Sequence, residues 1–144
     1  MVTSDPTMAQ KIARAAHAFE QQRTGHAPRT VTVVLSADTL VITLHGSLSL
    51  AEKDLARSPA GAAQLQDFHR RLFASASGAL REEIERITGV PVREAAAEVE
   101  VGTGTVVQVF TTGTVVQVFL LAHGVPTATW SGDGQADRDG DKSG

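Results

Sequence analysis

The apolar residues of this chain change period in a fixed order, from helical to alternating, back to helical and then to alternating again. That order limits the fold more than any single motif does. Ile12, Ala16 and Phe19 recur at helical spacing. Asp5-Pro6 stands before them as an N-cap followed by a residue suited to the first helical position. Thr24-Gly25 supplies a C-cap and Pro28 prevents continuation. These signals predict a helix over 6–23, amphipathic and with an apolar stripe narrow enough to lie on a sheet.

Two β-branched runs follow, Thr30–Leu35 and Leu40–His45. Val31, Val33 and Leu35 share one face of the first, and Leu40, Ile42 and Leu44 share one face of the second. The polar connection Ser36-Ala37-Asp38-Thr39 between them reads as an antiparallel hairpin. Ser49-Leu50-Ala51-Glu52 then fits a capping box, opening a short helix through Arg57. Ser58-Pro59 restarts helical structure, and Leu65, Phe68, Leu72, Leu80, Ile84 and Ile87 form a long stripe at three- and four-residue steps. Ala74–Ala79, with two serines and Gly78, is its weak middle and a place for a bend. Thr88-Gly89-Val90-Pro91 stops it.

The remainder reads as strands: Val92–Val101, Val106–Phe110 and Val115–Ala122. The octapeptide TGTVVQVF at Thr103–Phe110 recurs unchanged at Thr112–Phe119. Two copies are too few for a solenoid and read as a local duplication that adds a hairpin arm. A nine-residue shift exchanges the faces of a continuous strand, so a turn at 111–114 has to reset the register. The expected fold class is α+β, an antiparallel sheet with helices on one face. Its expected order is helix, hairpin, one long or broken helical stretch, and a three-stranded meander.

Charge separates the chain into two parts. Residues 1–123 carry 12 acids and 11 bases, whereas 124–144 hold four Asp, one Arg, one Lys and five Gly. The expectation is a single α+β domain over 1–123 and a flexible acidic Gly/Asp-rich tail over 124–144. A net charge of -3 argues against nucleic acid as a partner, because phosphate binding needs a surplus of cations. With no cysteine, disulfides, thiolate metal sites and Cys nucleophiles are excluded. No apolar run reaches the roughly 18–20 residues of a membrane span, and Asp5, Lys11 and Arg14 break up the N-terminus, so neither membrane insertion nor a signal peptide is expected.

No constellation for chemistry stands out, and neither a catalytic residue, a cofactor nor a metal is expected. His17, His26, His45, His69 and His123 show no ligand spacing and read as surface or edge histidines. Ser75 and Ser77 lie in an alanine-rich helix without a nucleophile elbow. Glu82, Glu83 and Glu85 run beside Arg81 and Arg86, with Glu82 and Arg86 spaced for an exposed i,i+4 pair. Gly102–Thr105 and Thr111–Thr114 connect strand to strand and are hairpin turns rather than phosphate cradles. Asp137, Asp139 and Asp141 match alternate positions of a calcium loop, but Lys142 stands where its glycine belongs. Arg29, Arg57, Arg70 and Arg71 are the basic residues retained as candidate contacts for an anion or a partner's acidic patch.

The block Gly46-Ser47-Leu48-Ser49-Leu50-Ala51-Glu52-Lys53-Asp54-Leu55-Ala56 resembles the Gly-x-Leu-Thr-x-Ala-Glu-x-x-Leu block of the small bacterial MpsC family, with Ser49 in the Thr place. The Arg71 and Phe73 region, Ile84–Pro91 with its Ile-Thr-Gly-Val, the hairpin Val31–Leu44 and the phenylalanine-ended strand extend the resemblance over about 8–121. Gly25-His26-Ala27-Pro28 departs from the family's Gly-Arg-Gly-Pro-like entry to the first strand, leaving Arg29 to replace that arginine. The family pattern has one strand like Val106–Phe110, so the second copy is expected to be an insertion peculiar to this chain. The resemblance implies a part in a sodium-translocating, membrane-potential-generating system, as a non-catalytic soluble accessory or regulatory protein. Its partners would be subunits of a membrane cation-translocating complex, and its place the cytoplasm, peripheral to the inner membrane through such a partner. The alternative is a dimeric module binding a small anion or metabolite through those arginines. A partly unpaired apolar sheet makes a homo-oligomer the expectation in either case.

Overall fold

A computed structural model describes residues 5–111 together with 121, 124–126, 128 and 130. The chain divides into two compact units, Met1–Thr114 and Val115–Gly144. The second octapeptide and the strand Val115–Ala122 fall outside the described residues apart from Leu121, as does most of the acidic tail.

The first unit opens with α1, Met8–Thr24. Its N-cap is Thr7 rather than Asp5: the Thr7 hydroxyl accepts from the Gln10 amide while the Gln10 side chain accepts from the Thr7 amide, a reciprocal box that Asp5 has no partner to match. Gly25 closes α1 at φ 77°, as its place after Thr24 requires. β1, Thr30–Ser36, and β2, Thr39–His45, form the expected hairpin. Pairing runs through Ser36 and Thr39, so the loop is the two residues Ala37 and Asp38, shorter than the expected four-residue connection. The short loop forces Ala37 to φ 53°.

α2, Leu50–Leu55, begins in the Ser49–Glu52 capping box. α3, Pro59–Ala76, starts with Ser58 accepting from the Gly61 amide and Pro59 in the first turn. The long helical stretch is broken at Ser77, after which α4, Gly78–Thr88, runs to Gly89 at φ 75°. The buried face of α3 is Gly61, Leu65, His69 and Phe73, and Phe68 is exposed. The expected stripe through Phe68 and Leu72 is thus displaced by one residue, because Phe73 stacks edge-on against Phe19 at 6.5 Å and meets Phe110 at 5.9 Å. On α4 the ion pair joins Arg86 to Glu83 rather than to Glu82.

β3, Glu94–Glu100, and β4, Thr105–Thr111, complete a four-stranded antiparallel sheet. Its order is β1-β2-β4-β3, not the simple meander that chain order suggests. β4 pairs with β2 from Leu40↔Phe110 to Leu44↔Val106, and with β3 from Glu94↔Thr111 to Glu100↔Thr105. Composition explains the placement. The apolar TVVQVFT takes the centre, whereas EAAAEVE takes an edge and holds Glu94, Glu98 and Glu100 in water. With β2 and β3 on its two sides, β4 has no free side for a further strand.

The sheet turns Leu40, Ile42, Leu44, Val106 and Phe110 toward Ile12, Ala16 and Phe19 of α1, Leu65 and Phe73 of α3, and Leu80 and Ile84 of α4. The register sets Val33, Ile42, Gln108 and Ala97 in one row across all four strands. An amide therefore stands in the middle of the apolar face.

Candidate functional site

Three polar side chains are buried under the helical layer: Glu20 at 4% exposure, His69 at 6% and Gln108 at 1%. Each occupies a core position of its own element. Glu20 continues the four-residue step of Ile12 and Ala16, His69 that of Gly61 and Leu65, and Gln108 lies between Val106 and Phe110 on the inward face of β4. All three line one small cavity of about 10 Å³ with Phe19 and Phe73, room for a single water at most.

Glu52 joins the cluster from α2. Its Oε1 accepts from the Ser49 amide, completing the capping box, and its Oε2 lies 2.8 Å from Nε2 of His69. Burial works to raise the Glu52 pKa, but hydrogen bonds from His69 and from the Ser49 amide and hydroxyl outweigh it and hold the carboxyl below its ordinary value. An ionised carboxylate accepts only, so Nε2 of His69 carries the proton of that bond.

Glu20 is driven the other way. Burial raises its pKa, His69 and His26 oppose the rise, and the nearby Glu52 charge adds to it. Oε2 of Glu20 and Oε1 of Gln108 have no hydrogen-bond partner among the described residues. Burial favours the protonated form of Glu20, because the neutral acid avoids desolvating a charge. The cluster thus holds two carboxyls whose pKa values are driven in opposite directions, Glu20 upward and Glu52 downward, with His69 acting to lower both. Among the described residues no group of three or more His, Asp or Glu side chains is arranged to hold a metal ion.

The candidate arginines do not join this cluster. Arg57 pairs with Asp54 at 3.4 Å, Arg71 with Asp67 at 3.0 Å, and Arg70 with both carboxylate oxygens of Glu98 at 3.3 and 3.0 Å. Arg29 packs its Cβ against Gly46, at the entry to β1. An anion binding at Arg57, Arg70 or Arg71 would compete with a carboxylate of the chain itself. His69, read from the sequence as a surface or edge residue, is instead buried. The signal that could have placed it was the Gly61, Leu65, His69, Phe73 spacing, which the bulkier Phe68 and Leu72 masked.

A second feature lies at the other end of the helical layer. Met8 and Ile12 of α1, Val33 and Leu35 of β1, and Ile84 and Val90 near the end of α4 line an open apolar groove of about 300 Å³. Asp38 and Thr88 supply polar groups to its lining.

These elements define an α+β protein with helices on one face of a four-stranded antiparallel sheet and a buried acid–imidazole cluster between the layers. The chain belongs to the MpsC family, described as Na+-translocating membrane potential-generating system, whose model matches residues 4–114. The match takes in every strand and helix described above and ends within the second octapeptide. No curated protein and no solved structure matches the chain.

Proposed function

We propose that this chain is a non-catalytic accessory or regulatory protein of a sodium-translocating, membrane-potential-generating system, working as a homo-oligomer in the cytoplasm. The observation that carries this reading is the family match across the whole of the first unit's secondary structure. No helix among the described residues is long and apolar enough to cross a membrane, so the connection to the membrane we propose runs through a partner subunit. The polar cluster supports a structural role, since Glu52 completes the cap of α2 with one oxygen and joins α2 to His69 of α3 with the other.

The test is affinity capture of the tagged chain from its native host after gentle detergent extraction. The expected result is recovery of a polytopic cation-translocating subunit in stoichiometric amount. Recovery of the chain by itself would sink the accessory reading.

A further inference from the structure

The two edges of the sheet are unlike. β3 presents Glu94, Glu98 and Glu100 to water, and Arg70 clasps Glu98. β1, TVTVVLS, has no charged residue, no proline and no bulge, and pairs with β2 without interruption from Thr30↔His45 to Ser36↔Thr39. Charges, prolines and bulges are the usual protection of an open edge, and β1 has none of them. Five consecutive β-branched residues, Thr30 to Val34, favour the extended backbone. Val34 and Leu35 are 53% and 69% exposed, and no strand among the described residues lies on the outer side of β1.

We infer that β1 is the contact between two copies of this chain, which pair antiparallel about Val33 to make one continuous eight-stranded sheet. The inference rests on the homo-oligomer part of the proposed function and names its surface. The partner follows from self-complementarity. Pairing centred on Val33 sets Thr30 opposite Ser36, Val31 opposite Leu35 and Thr32 opposite Val34. Helix-side residues thereby meet helix-side residues, and outward residues meet outward ones. The residues flanking the strand differ in charge, so the end of β1 next to Arg29 in one copy meets the end next to Asp38 in the second. The same operation on β3, centred on Ala97, would set Glu94 opposite Glu100 at both ends, like charge against like. Val33 and Leu35 also line the apolar groove, so the join brings together the apolar surfaces of the two copies.

The chain has no cysteine, which makes a single-cysteine test clean. In the full chain, Val33→Cys places the two thiols directly opposite, and mild oxidation is expected to yield a covalent dimer. Val31→Cys, whose opposite residue is Leu35, is expected to stay monomeric on a denaturing gel. In sedimentation velocity, T32K/V34K sets lysine opposite lysine at two places and weakens the dimer about tenfold, while T32K/V34E sets lysine opposite glutamate and retains it. Thr32 and Val34 are exposed, and circular dichroism checks that both variants fold. A dimer that neither cross-links through Val33→Cys nor responds to T32K/V34K would overturn the β1 contact and leave the homo-oligomer standing. A wild-type chain that sediments as a monomer at every concentration would overturn both.

Discussion

Nε2 of His69 lies 2.8 Å from Oε2 of Glu52, so the residue that completes the cap of α2 is also the one that fastens α2 to α3. α2 is six residues long and buries none of them. A helix so short has no stability of its own in water, and its place depends on these side-chain bonds.

Removing Glu52 therefore costs more than removing an ordinary cap. Glu52→Ala is expected to lower stability by about 2 kcal/mol, and Ser49→Ala by about 1 kcal/mol, in urea denaturation. A double-mutant cycle of Glu52→Ala with His69→Ala should return a coupling of about 1 kcal/mol. Independent, additive effects would show that the two side chains do not act together. Because the folded-state pKa of Glu52 is depressed, its contribution is present above the unfolded carboxylate pKa and is lost as pH falls through the folded value.

Glu20 has the opposite sign. Its pKa is raised by burial, so its contribution is present while it is protonated, below the unfolded value, and is lost as pH rises through the folded one. Glu20→Gln keeps the shape and removes the titration. It is expected to be more stable than wild type by about 1 kcal/mol above that transition, and close to wild type below it. Chemical denaturation at a series of pH values checks this. A Glu20→Gln curve parallel to the wild-type curve would refute it.

The hairpin loop offers a gain. Ala37 sits at φ 53°, a conformation that costs an L-residue with a Cβ but not glycine. Ala37→Gly is expected to raise stability by about 0.5–1 kcal/mol, read as a higher midpoint in thermal denaturation. A lower midpoint would mean that the loop carries no such strain.

Two glycines should respond in opposite directions to alanine. A Cβ at Gly61 would lie 1.9 Å from the Leu55 carbonyl oxygen, so Gly61→Ala must push α2 away from the start of α3, at a cost of about 3 kcal/mol. A Cβ at Gly78 meets nothing within 4 Å, and Gly78→Ala is expected to stabilise α4 by about 0.5–1 kcal/mol. Equal effects in urea midpoints would show that the approach of Leu55 to Gly61 is not a close contact.

Much of the fold is legible in the sequence because many of its signals are local. Gly25 and Gly89 end helices, Ser49 with Glu52 and Ser58 with Pro59 begin them, and Ser77 with Gly78 breaks the long stretch, each acting within a turn of its own position. The buried cluster was harder to read. Glu20, His69 and Gln108 follow the core spacing of their elements, but a polar residue at a core position declares nothing until its neighbours are known. The expected stripe on α3 followed the larger side chains Phe68 and Leu72, and His69, read as a surface or edge residue, is buried.

By itself the sequence determined the α+β class, the order of elements, the hairpin and most of the caps, since these depend on φ/ψ preferences and hydrogen bonds a few residues apart. It also carried the family, through the Gly46–Ala56 block. Tertiary structure decided the strand order, because the pairing of β2 with β4 joins residues far apart in the chain that no local signal records, and it leaves β3, whose charges water can solvate, at the edge beyond β4. It likewise decided that Glu52 meets His69 and that Glu20 and Gln108 line one cavity. The free energy of a buried polar group depends on what it touches, and only packing brings those partners together.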